Sequence, residues 1–210
     1  MTPHVVRRIT IVALGDSLTV GFIPSRIADQ PYSRFLTEMI DAFLWQVNKD
    51  HDFKVQIINR GVNGDLTRYM LLRFQRDVLD VKPMYVIVLG GSNDLGWGYS
   101  VEDVFLNLKE MYEEARQHAV EPIGCTVPSV LGWDEGIPSR QELNQLVKRF
   151  CCEKGILCAD LFEGTCDPTT KRLTAKYSSD GLHFNALGYR RMAEIIFKET
   201  MRDILTRELR

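Results

Sequence analysis

The sequence predicts an α/β fold built on a parallel β-sheet, because strand-like and helix-like segments alternate along the whole chain. The clearest strand is residues 9–14, an apolar or β-branched run whose composition fits a strand buried on both faces. No repeat, low-complexity segment or linker interrupts the alternation. The 210 residues are therefore expected to form a single domain, residues 1–210, that is large enough to bury a core.

Each element is predicted from its own local pattern. Short apolar runs predict five strands, at residues 9–14, 54–58, 84–89, 120–125 and 155–160. Five helices are predicted from apolar stripes at helical spacing, and these stripes span residues 35–47, 66–78, 104–115, 143–150 and 192–196. Pro31 is expected to open the first of these helices. The main irregular connections are predicted at residues 59–65, 90–98, 126–138 and 161–183. Ser100 with Asp103 and Ser139 with Glu142 resemble capping boxes, and Asn185 can cap the last helix.

The composition is typical of a soluble globular protein, with 45% hydrophobic residues, 26% charged residues and a net charge of −2. Lys and Arg are scattered rather than clustered, so neither a nucleic-acid partner nor a stable membrane association is expected. The apolar run after Arg7 and Arg8 is too short for a signal peptide and is read as a strand. We therefore predict a cytoplasmic protein, unless a leader has been trimmed, and leave the oligomeric state open.

The cysteines are odd in number and form no Cys-x-x-Cys pair. They are Cys125, Cys151, Cys152, Cys158 and Cys166. Two fall in predicted strands and two on a predicted helix, where buried thiols behave as small hydrophobic groups. We expect reduced, structural cysteines, since a metal cluster formed by the last four would lack the usual ligand spacing.

Polar or turn-forming residues follow several predicted strands near the points where the strands end. Ser17 follows the first strand, Gly64 the second and Asn93 the third, while Asp180 and His183 precede the last helix. Open α/β sheets bind ligands at the edge formed by the carboxyl ends of their strands. We therefore expect these residues to lie together at that edge.

Four short motifs, taken together and in order, carry a family resemblance. They read Gly-Asp-Ser-Leu-Thr at residues 15–19, Gly-Asp at 64–65, Gly-Ser-Asn-Asp at 91–94 and Asp-Gly-Leu-His at 180–183. In this order and spacing the chain resembles the SGNH hydrolases, also called the GDSL esterase/lipase family, over nearly its whole length. One departure is Phe184, where many members have proline. This change is expected to alter the lip beside His183 without removing a functional group.

The resemblance implies a three-layer α/β/α sandwich with a five-stranded parallel sheet in the flavodoxin-like order 2-1-3-4-5. It also implies a serine hydrolase that cleaves carboxylic esters through an acyl-enzyme intermediate. No cofactor and no metal are implied, and the partner is a small-molecule ester substrate.

The residue types suggest a catalytic triad of Ser17, His183 and Asp180. A serine hydroxyl is a weak nucleophile and needs a base, and neutral imidazole can supply one. Asp180 lies three residues before His183, a spacing that lets its carboxylate accept from Nδ1–H and fix the tautomer.

The tetrahedral intermediate needs preorganised hydrogen-bond donors for its negatively charged oxygen. The resemblance implies that these donors are the backbone N–H groups of Ser17 and Gly64 and the side-chain amide of Asn93. The neighbouring aspartates are expected to accept hydrogen bonds that brace the loops; they are Asp16, Asp65 and Asp94.

The long connections are expected to shape the substrate pocket. Its predicted residues are Leu18, Trp97, Val130, Leu131 and Trp133. Neither 126–138 nor 161–182 holds the long amphipathic helix that a lipase lid would need, so we expect a shallow site that prefers short acyl groups.

Several alternatives remain open on the sequence alone. Within the same family, the substrate could instead be a lysophospholipid, a thioester or an acetylated carbohydrate. A metal-dependent phosphoesterase would use Asp16, Asp94, Asp180 and His183 as ligands, but it leaves Ser17 without a role. A non-catalytic binding module on the same fold is the alternative outside enzymology. A nucleotide or flavin site is not indicated, because neither phosphate-binding glycine motif occurs.

Overall fold

A five-stranded parallel sheet in the order β2-β1-β3-β4-β5 forms the centre of the computed structural model, which describes residues 6–24, 26, 29–47 and 52–210. The strands are β1 (Arg7–Gly15), β2 (Phe53–Gly61), β3 (Tyr85–Leu89), β4 (Glu121–Cys125) and β5 (Leu157–Ala159). The order confirms the prediction. Gly15 at the end of β1 pairs with Gly61 of β2 and Leu89 of β3, so these three strands end level with one another. The segments that follow them therefore begin at one edge of the sheet.

Helices cover both faces of the sheet and give the predicted three layers. They are α1 (Ser17–Val20), α2 (Tyr32–Val47), α3 (Thr67–Leu72), α4 (Phe74–Asp77), α5 (Ser92–Gly96), α6 (Val101–Gln117), α7 (Ile137–Lys154), α8 (Leu161–Thr165), α9 (Ala186–Ile196) and α10 (Arg202–Glu208). A π-helical turn, Phe197–Met201, joins α9 to α10. None of the helices in the described part of the chain has both the length and the apolar character needed to cross a membrane.

The alternating side chains of β1 separate the two halves of the core. Ile9, Ile11 and Ala13 pack in the cluster that includes α2 and α9, while Val12 and Leu14 pack in the cluster that includes α6 and α7. Successive side chains of a strand point to opposite faces, so a strand between two helical layers must be apolar on both. This is why the run 9–14 shows no polar alternation.

The second strand is longer than predicted. It continues through Gly61, so the predicted irregular segment 59–65 begins inside β2. Pairing with β1 extends the strand, and Asn59 stabilises its end by accepting from the Gly61 amide and donating to the Thr19 carbonyl. In the sequence Asn59 indicates a turn, because asparagine is common in turns. In the structure it links the end of β2 to the segment that follows β1.

The continuous helix predicted over residues 66–78 is wrong, because the structure has two short helices there. Arg73 separates α3 from α4, with backbone angles φ −97° and ψ 2°. Met70, Phe74 and Val78 are nevertheless all buried in one cluster. The predicted apolar stripe is therefore confirmed, whereas the sequence did not predict the break between the two helices.

Two of the three helix-capping predictions are confirmed, and the third is wrong. Ser100 and Asn185 cap α6 and α9 as predicted, each accepting from a backbone amide three residues later. The capping box at Ser139 is wrong, because α7 begins at Ile137 and the Ser139 hydroxyl donates to the Gly136 carbonyl. Pro138 lies in the first turn of α7, where its missing N–H leaves no intrahelical bond unmade.

Candidate active site

Ser17 lies at the first position of α1, directly beyond the end of β1. Asp16 caps this short helix, with its Oδ1 accepting from the Leu18 amide at 2.9 Å. Gly15 is required where the chain turns, because a Cβ on it would lie 2.4 Å from the Leu89 carbonyl oxygen. The rigid strand and the capped turn together fix the position of the Ser17 hydroxyl.

His183 and Asp180 meet Ser17 in one chain of hydrogen-bonding distances. The His183 Nε2 lies 3.1 Å from the Ser17 Oγ, and the His183 Nδ1 lies 2.8 Å from the Asp180 Oδ2. The ring of Phe22 packs edge-on against the imidazole, with 5.0 Å between the ring centroids. The sequence did not indicate this contact of Phe22, which helps hold the imidazole plane.

The Asp180 carboxylate is held by its own turn. Its Oδ1 accepts from the amides of Leu182 and His183, at 3.0 and 2.7 Å, and from the Ser178 hydroxyl at 3.2 Å. Burial raises the pKa of Asp180, but the hydrogen bonds from the His183 ring and the two amides outweigh burial and leave the pKa below its ordinary value. Asp180 is therefore an anion oriented towards Nδ1.

Gly64 and Asn93 lie on the two loops beside Ser17. Gly64 has φ +73°, and no atom of the described residues lies within 4 Å of the position that a Cβ would take, so space is left open there. The Asn93 Nδ2 donates to the Asp65 carbonyl at 2.9 Å, which ties these loops together. An amide carries two N–H donors, so a second one remains for a ligand. The segment 90–98, predicted as irregular, contains α5, and Asn93 is its second residue.

A partly exposed arginine that the sequence did not single out braces these loops. The Arg73 guanidinium donates to the carboxylates of Asp65 and Asp77, at 2.8 and 2.7 Å, and to the Gly15 carbonyl at 3.1 Å. It thus connects the end of β1 to the loop that carries Gly64. No motif points to Arg73, since its partners come from three separate segments.

Asp94 braces the third loop as expected. Its carboxylate accepts from the Thr67 amide, at 3.1 Å, and from the Thr67 hydroxyl, at 2.7 Å. These bonds hold the start of α3 against α5, which keeps the Asn93 and Gly64 loops in contact.

The buried Asp16 carboxyl has an unusual pKa. Burial raises its pKa from 3.8 to about 7, the Leu18 amide opposes the rise, and the nearby Asp94 and Asp65 add to it. The folded state therefore disfavours the ionised form, an effect that is absent at a pH below 3.8 and complete above about 7. A rise of this size corresponds to at most about 4 kcal/mol of unfolding free energy.

Asp16→Asn is accordingly expected to stabilise the protein more at pH 8 than at pH 5, because the amide keeps an acceptor oxygen for the Leu18 N–H without a charge. Urea unfolding at the two pH values measures the difference. Asp41→Asn makes the same substitution at an exposed position of α2 and is the matched control. An equal or larger gain for Asp16→Asn at pH 5 would contradict the assignment.

A cavity of about 560 Å³ opens beside Asn93 and Asp180. Its lining residues are Ser92, Asn93, Gly96, Trp97, Val130, Leu131, Gly132, Trp133, Arg140, Asp180, Gly181 and Leu182. Four of the five predicted pocket residues thus line it. Trp97 and Trp133 are 79% and 41% exposed, so both residues belong to the rim of the cavity rather than to the core.

Two expectations about side chains near the site are corrected. Leu18 does not line the cavity, because its side chain is buried in the core cluster on the α2 face of the sheet. Phe184 does not form a lip beside His183 either, since it is fully buried in the same cluster and packs against Tyr189. Both residues are neighbours of motif residues in the chain, and the sequence interpretation placed them at the site, whereas their side chains pack in the core.

The described cysteines are all free thiols, and Cys125 and Cys151 are buried in the core. Within the described residues, no group of three or more His, Cys, Asp or Glu side chains has an arrangement that could hold a metal ion. Asp16 and Asp94, which the phosphoesterase alternative needs as ligands, are instead engaged with backbone amides.

Comparison with known families gives one match over most of the chain. A family model described as the GDSL-like lipase/acylhydrolase family matches residues 13–191. This range contains all four motifs and every residue of the site described above.

Similar solved structures include the lipase/acylhydrolase from Enterococcus faecalis, with 26% identity and a TM-score of 0.74 over 91% of this chain and 94% of that one. A GDSL-like lipase from Bacteroides thetaiotaomicron VPI-5482 has 21% identity and a TM-score of 0.69, covering 92% of this chain and 88% of that one. The acetylxylan esterase Axe2 from Geobacillus stearothermophilus has 18% identity and a TM-score of 0.74, covering 91% and 93%. The last two likenesses show the fold alone.

One curated protein is related over a shorter stretch. The uncharacterized lipoprotein YqeF of Bacillus subtilis (strain 168) is 39% identical over 85 residues, which make up 37% of this chain. The chain spans only about a third of the length of this relative, since the match covers 35% of it.

Proposed function

The chain belongs to the GDSL-like lipase/acylhydrolase family, a family of carboxylic ester hydrolases, and from this premise we propose that it cleaves small, short-acyl esters through an acyl-enzyme on Ser17. The observation that carries the proposal is the continuous path from the Ser17 Oγ through the His183 ring to Asp180, at 3.1 and 2.8 Å. A hydroxyl, a base and an orienting carboxylate in hydrogen-bond contact are what nucleophilic catalysis by serine requires.

In the first half-reaction, His183 Nε2 takes the proton of the Ser17 hydroxyl as Oγ bonds to the ester carbonyl carbon. Asp180 accepts from Nδ1–H, which leaves Nε2 free as the base and stabilises the imidazolium that forms. The tetrahedral intermediate then collapses. Its bond to the alcohol oxygen breaks, His183 returns the proton to that oxygen, and the alcohol leaves.

In the second half-reaction, water replaces the alcohol. His183 takes a proton from the water, the water oxygen bonds to the acyl carbon, and the bond to Ser17 Oγ breaks as the proton returns to the serine. The negative oxygen of both intermediates is held by the amides of Ser17 and Gly64 and by the Asn93 Nδ2. The support for Asn93 is that its bond to the Asp65 carbonyl orients it before substrate arrives.

The proposed preference for short acyl groups rests on the residues and segments that surround the cavity. Its rim carries the exposed Trp97 and Trp133, and the segment 126–138 contributes only a 3₁₀ turn, Asp134–Gly136, before α7 begins. The second long segment adds α8 and one further 3₁₀ turn, Ala175–Tyr177. Neither segment supplies a lid helix, and each methylene that stays in water forgoes about 0.8 kcal/mol of binding free energy.

A series of p-nitrophenyl esters from acetyl to decanoyl, assayed in EDTA, tests the proposal. We expect kcat/KM to be highest between acetyl and about butyryl, because longer chains gain no further burial. A steady rise through decanoyl, or a jump in rate at the micellar limit, would show a deep lipid site. Complete loss of turnover in EDTA would favour the metal-dependent alternative. Acetylated sugars, lysophospholipid and acyl-thioesters in the same panel compare the other substrate classes.

The cytoplasmic location stays a prediction. The related YqeF is named a lipoprotein, and its similarity covers only 37% of this chain. Cell fractionation of the native protein would decide the compartment.

A further inference from the structure

Arg140 of α7 is buried, and it has no acidic partner within the described residues. Only 1% of its surface is exposed. Its Nη1 donates to the Gly136 carbonyl at 3.2 Å and its Nη2 donates to the Ser92 hydroxyl at 3.1 Å, while its Nε has no partner among the residues that the structure describes. No acidic side chain in the described parts of the chain forms an ion pair with it.

Such an arrangement is costly for a folded protein. Guanidinium carries five N–H donors, and buried charges are normally paired because an unpaired charge loses its hydration without compensation. Arg140 uses two of these donors, both on neutral acceptors. Burial lowers the pKa of Arg140 to about 10, with Asp16 opposing the change, so the side chain remains a cation at neutral pH.

The uncompensated cation lies in the wall of the substrate cavity. Arg140 is one of the lining residues, and Ser92, its hydrogen-bond partner, is the neighbour of Asn93. The indole of Trp133 covers the guanidinium, with 5.4 Å from its ring to the Arg140 Cζ. Asp180 is the one acidic residue in this lining, and its carboxylate is already engaged by His183 and by two backbone amides.

We propose that Arg140 forms a carboxylate-binding subsite, so that the preferred substrates are esters carrying a carboxylate on their acyl or alcohol part. A planar guanidinium matches a carboxylate with two parallel hydrogen bonds. Arg140 is a single cation among mostly apolar walls, so a ligand with one negative charge, such as a carboxylate, balances it. A doubly charged phosphate would leave one negative charge unpaired. The inference rests on the proposed ester hydrolysis and adds the chemical class of the substrate.

The test compares kcat/KM within two matched pairs of esters, after subtraction of the enzyme-free rate. The acyl pair is mono-p-nitrophenyl glutarate and p-nitrophenyl butyrate; the alcohol pair is 4-acetoxybenzoate and 4-methylphenyl acetate. The enzymes are the wild type, Arg140→Met, Arg140→Lys and Arg172→Met. Arg172 pairs with Asp134 at the surface, so the last variant removes the same charge outside the cavity and serves as the control.

In at least one pair, the wild type should prefer the anionic ester, and Arg140→Met should lower the anionic-to-neutral ratio by about 10- to 100-fold, the effect of a hydrogen-bonded charge. Arg140→Lys keeps the charge but not the fork and should lower the ratio less. Arg172→Met should keep the wild-type ratio. If Arg140→Met does not fold, Arg140→Lys decides by whether its ratio falls.

An unchanged ratio in the folded Arg140 variants, or no anionic preference in the wild type, would overturn the inference and leave Arg140 as a packing residue. These outcomes are distinct from failure of the proposed function, in which the wild type cleaves none of the four esters. A loss of the ratio in Arg172→Met as well would also count against a local subsite, because it would point to the overall charge.

Discussion

Ser17→Ala is expected to lower kcat for p-nitrophenyl acetate by about 10⁴- to 10⁶-fold, because it removes the nucleophile and with it the acyl-enzyme route. The fold should persist, since the Ser17 hydroxyl contacts the His183 ring and α1 is capped by Asp16. A fluorophosphonate should label the wild type once, at Ser17, and should not label the variant. Circular dichroism checks the fold of each protein. Labelling at another residue would remove Ser17 from its proposed role.

His183→Ala should cost a similar factor, and the double variant with Ser17→Ala should be little slower than either single one. The reason is that a nucleophile without its base, or a base without its nucleophile, does no chemistry, so the two act as one unit. Asp180→Ala should retain more activity, because it affects only the orientation and charge of the ring. Ser139→Ala is the control, because it removes a hydroxyl of α7 that donates to the Gly136 carbonyl and to no other group in the described part of the chain. Additive losses in the double variant would mean that the two residues are not partners.

The fold was readable from the sequence because its strongest signals are local. The run 9–14 is apolar on both faces, and both faces of β1 are covered in the structure. The stripe of α2 and the caps of α6 and α9 depend on residues a few positions apart. The order of the strands could not be predicted from local patterns, because the pairing between β1 and β3 joins segments separated by the whole of β2. It was predicted from the family resemblance.

The site was readable only in part, because its support depends on tertiary contacts. The four motifs supplied Ser17, Asn93 and His183, but nothing near Arg73 in the sequence announces that its guanidinium joins three segments. Arg140 was missed for the same reason, since helical spacing places an arginine on α7 without saying that it is buried. The prediction that Leu18 lines the pocket was wrong for another reason. Leu18 follows Ser17 in the chain, but its side chain packs in the core and does not line the cavity.

Asn93→Ala is expected to lower kcat by about 10² to 10³-fold, the usual cost of removing one donor from an oxyanion hole. The negative oxygen exists only in the tetrahedral intermediate and the transition states around it, so KM should change little. Asn93 is half-buried, and its hydrogen bond to the Asp65 carbonyl is lost as well, so loop displacement must be separated from loss of the donor.

Asn107→Ala makes that separation. Asn107 donates to the Thr67 hydroxyl, within the same bracing network that Asp94 joins, but it is not proposed to contact substrate. Loosening of the loops should therefore affect both variants, whereas loss of an oxyanion donor should affect Asn93→Ala alone. Fluorophosphonate labelling and thermal unfolding of both proteins show whether the Ser17 turn is intact. An Asn93→Ala protein with wild-type turnover, or one that unfolds, would contradict the assignment; a loss of kcat matched by Asn107→Ala would assign the effect to the loops.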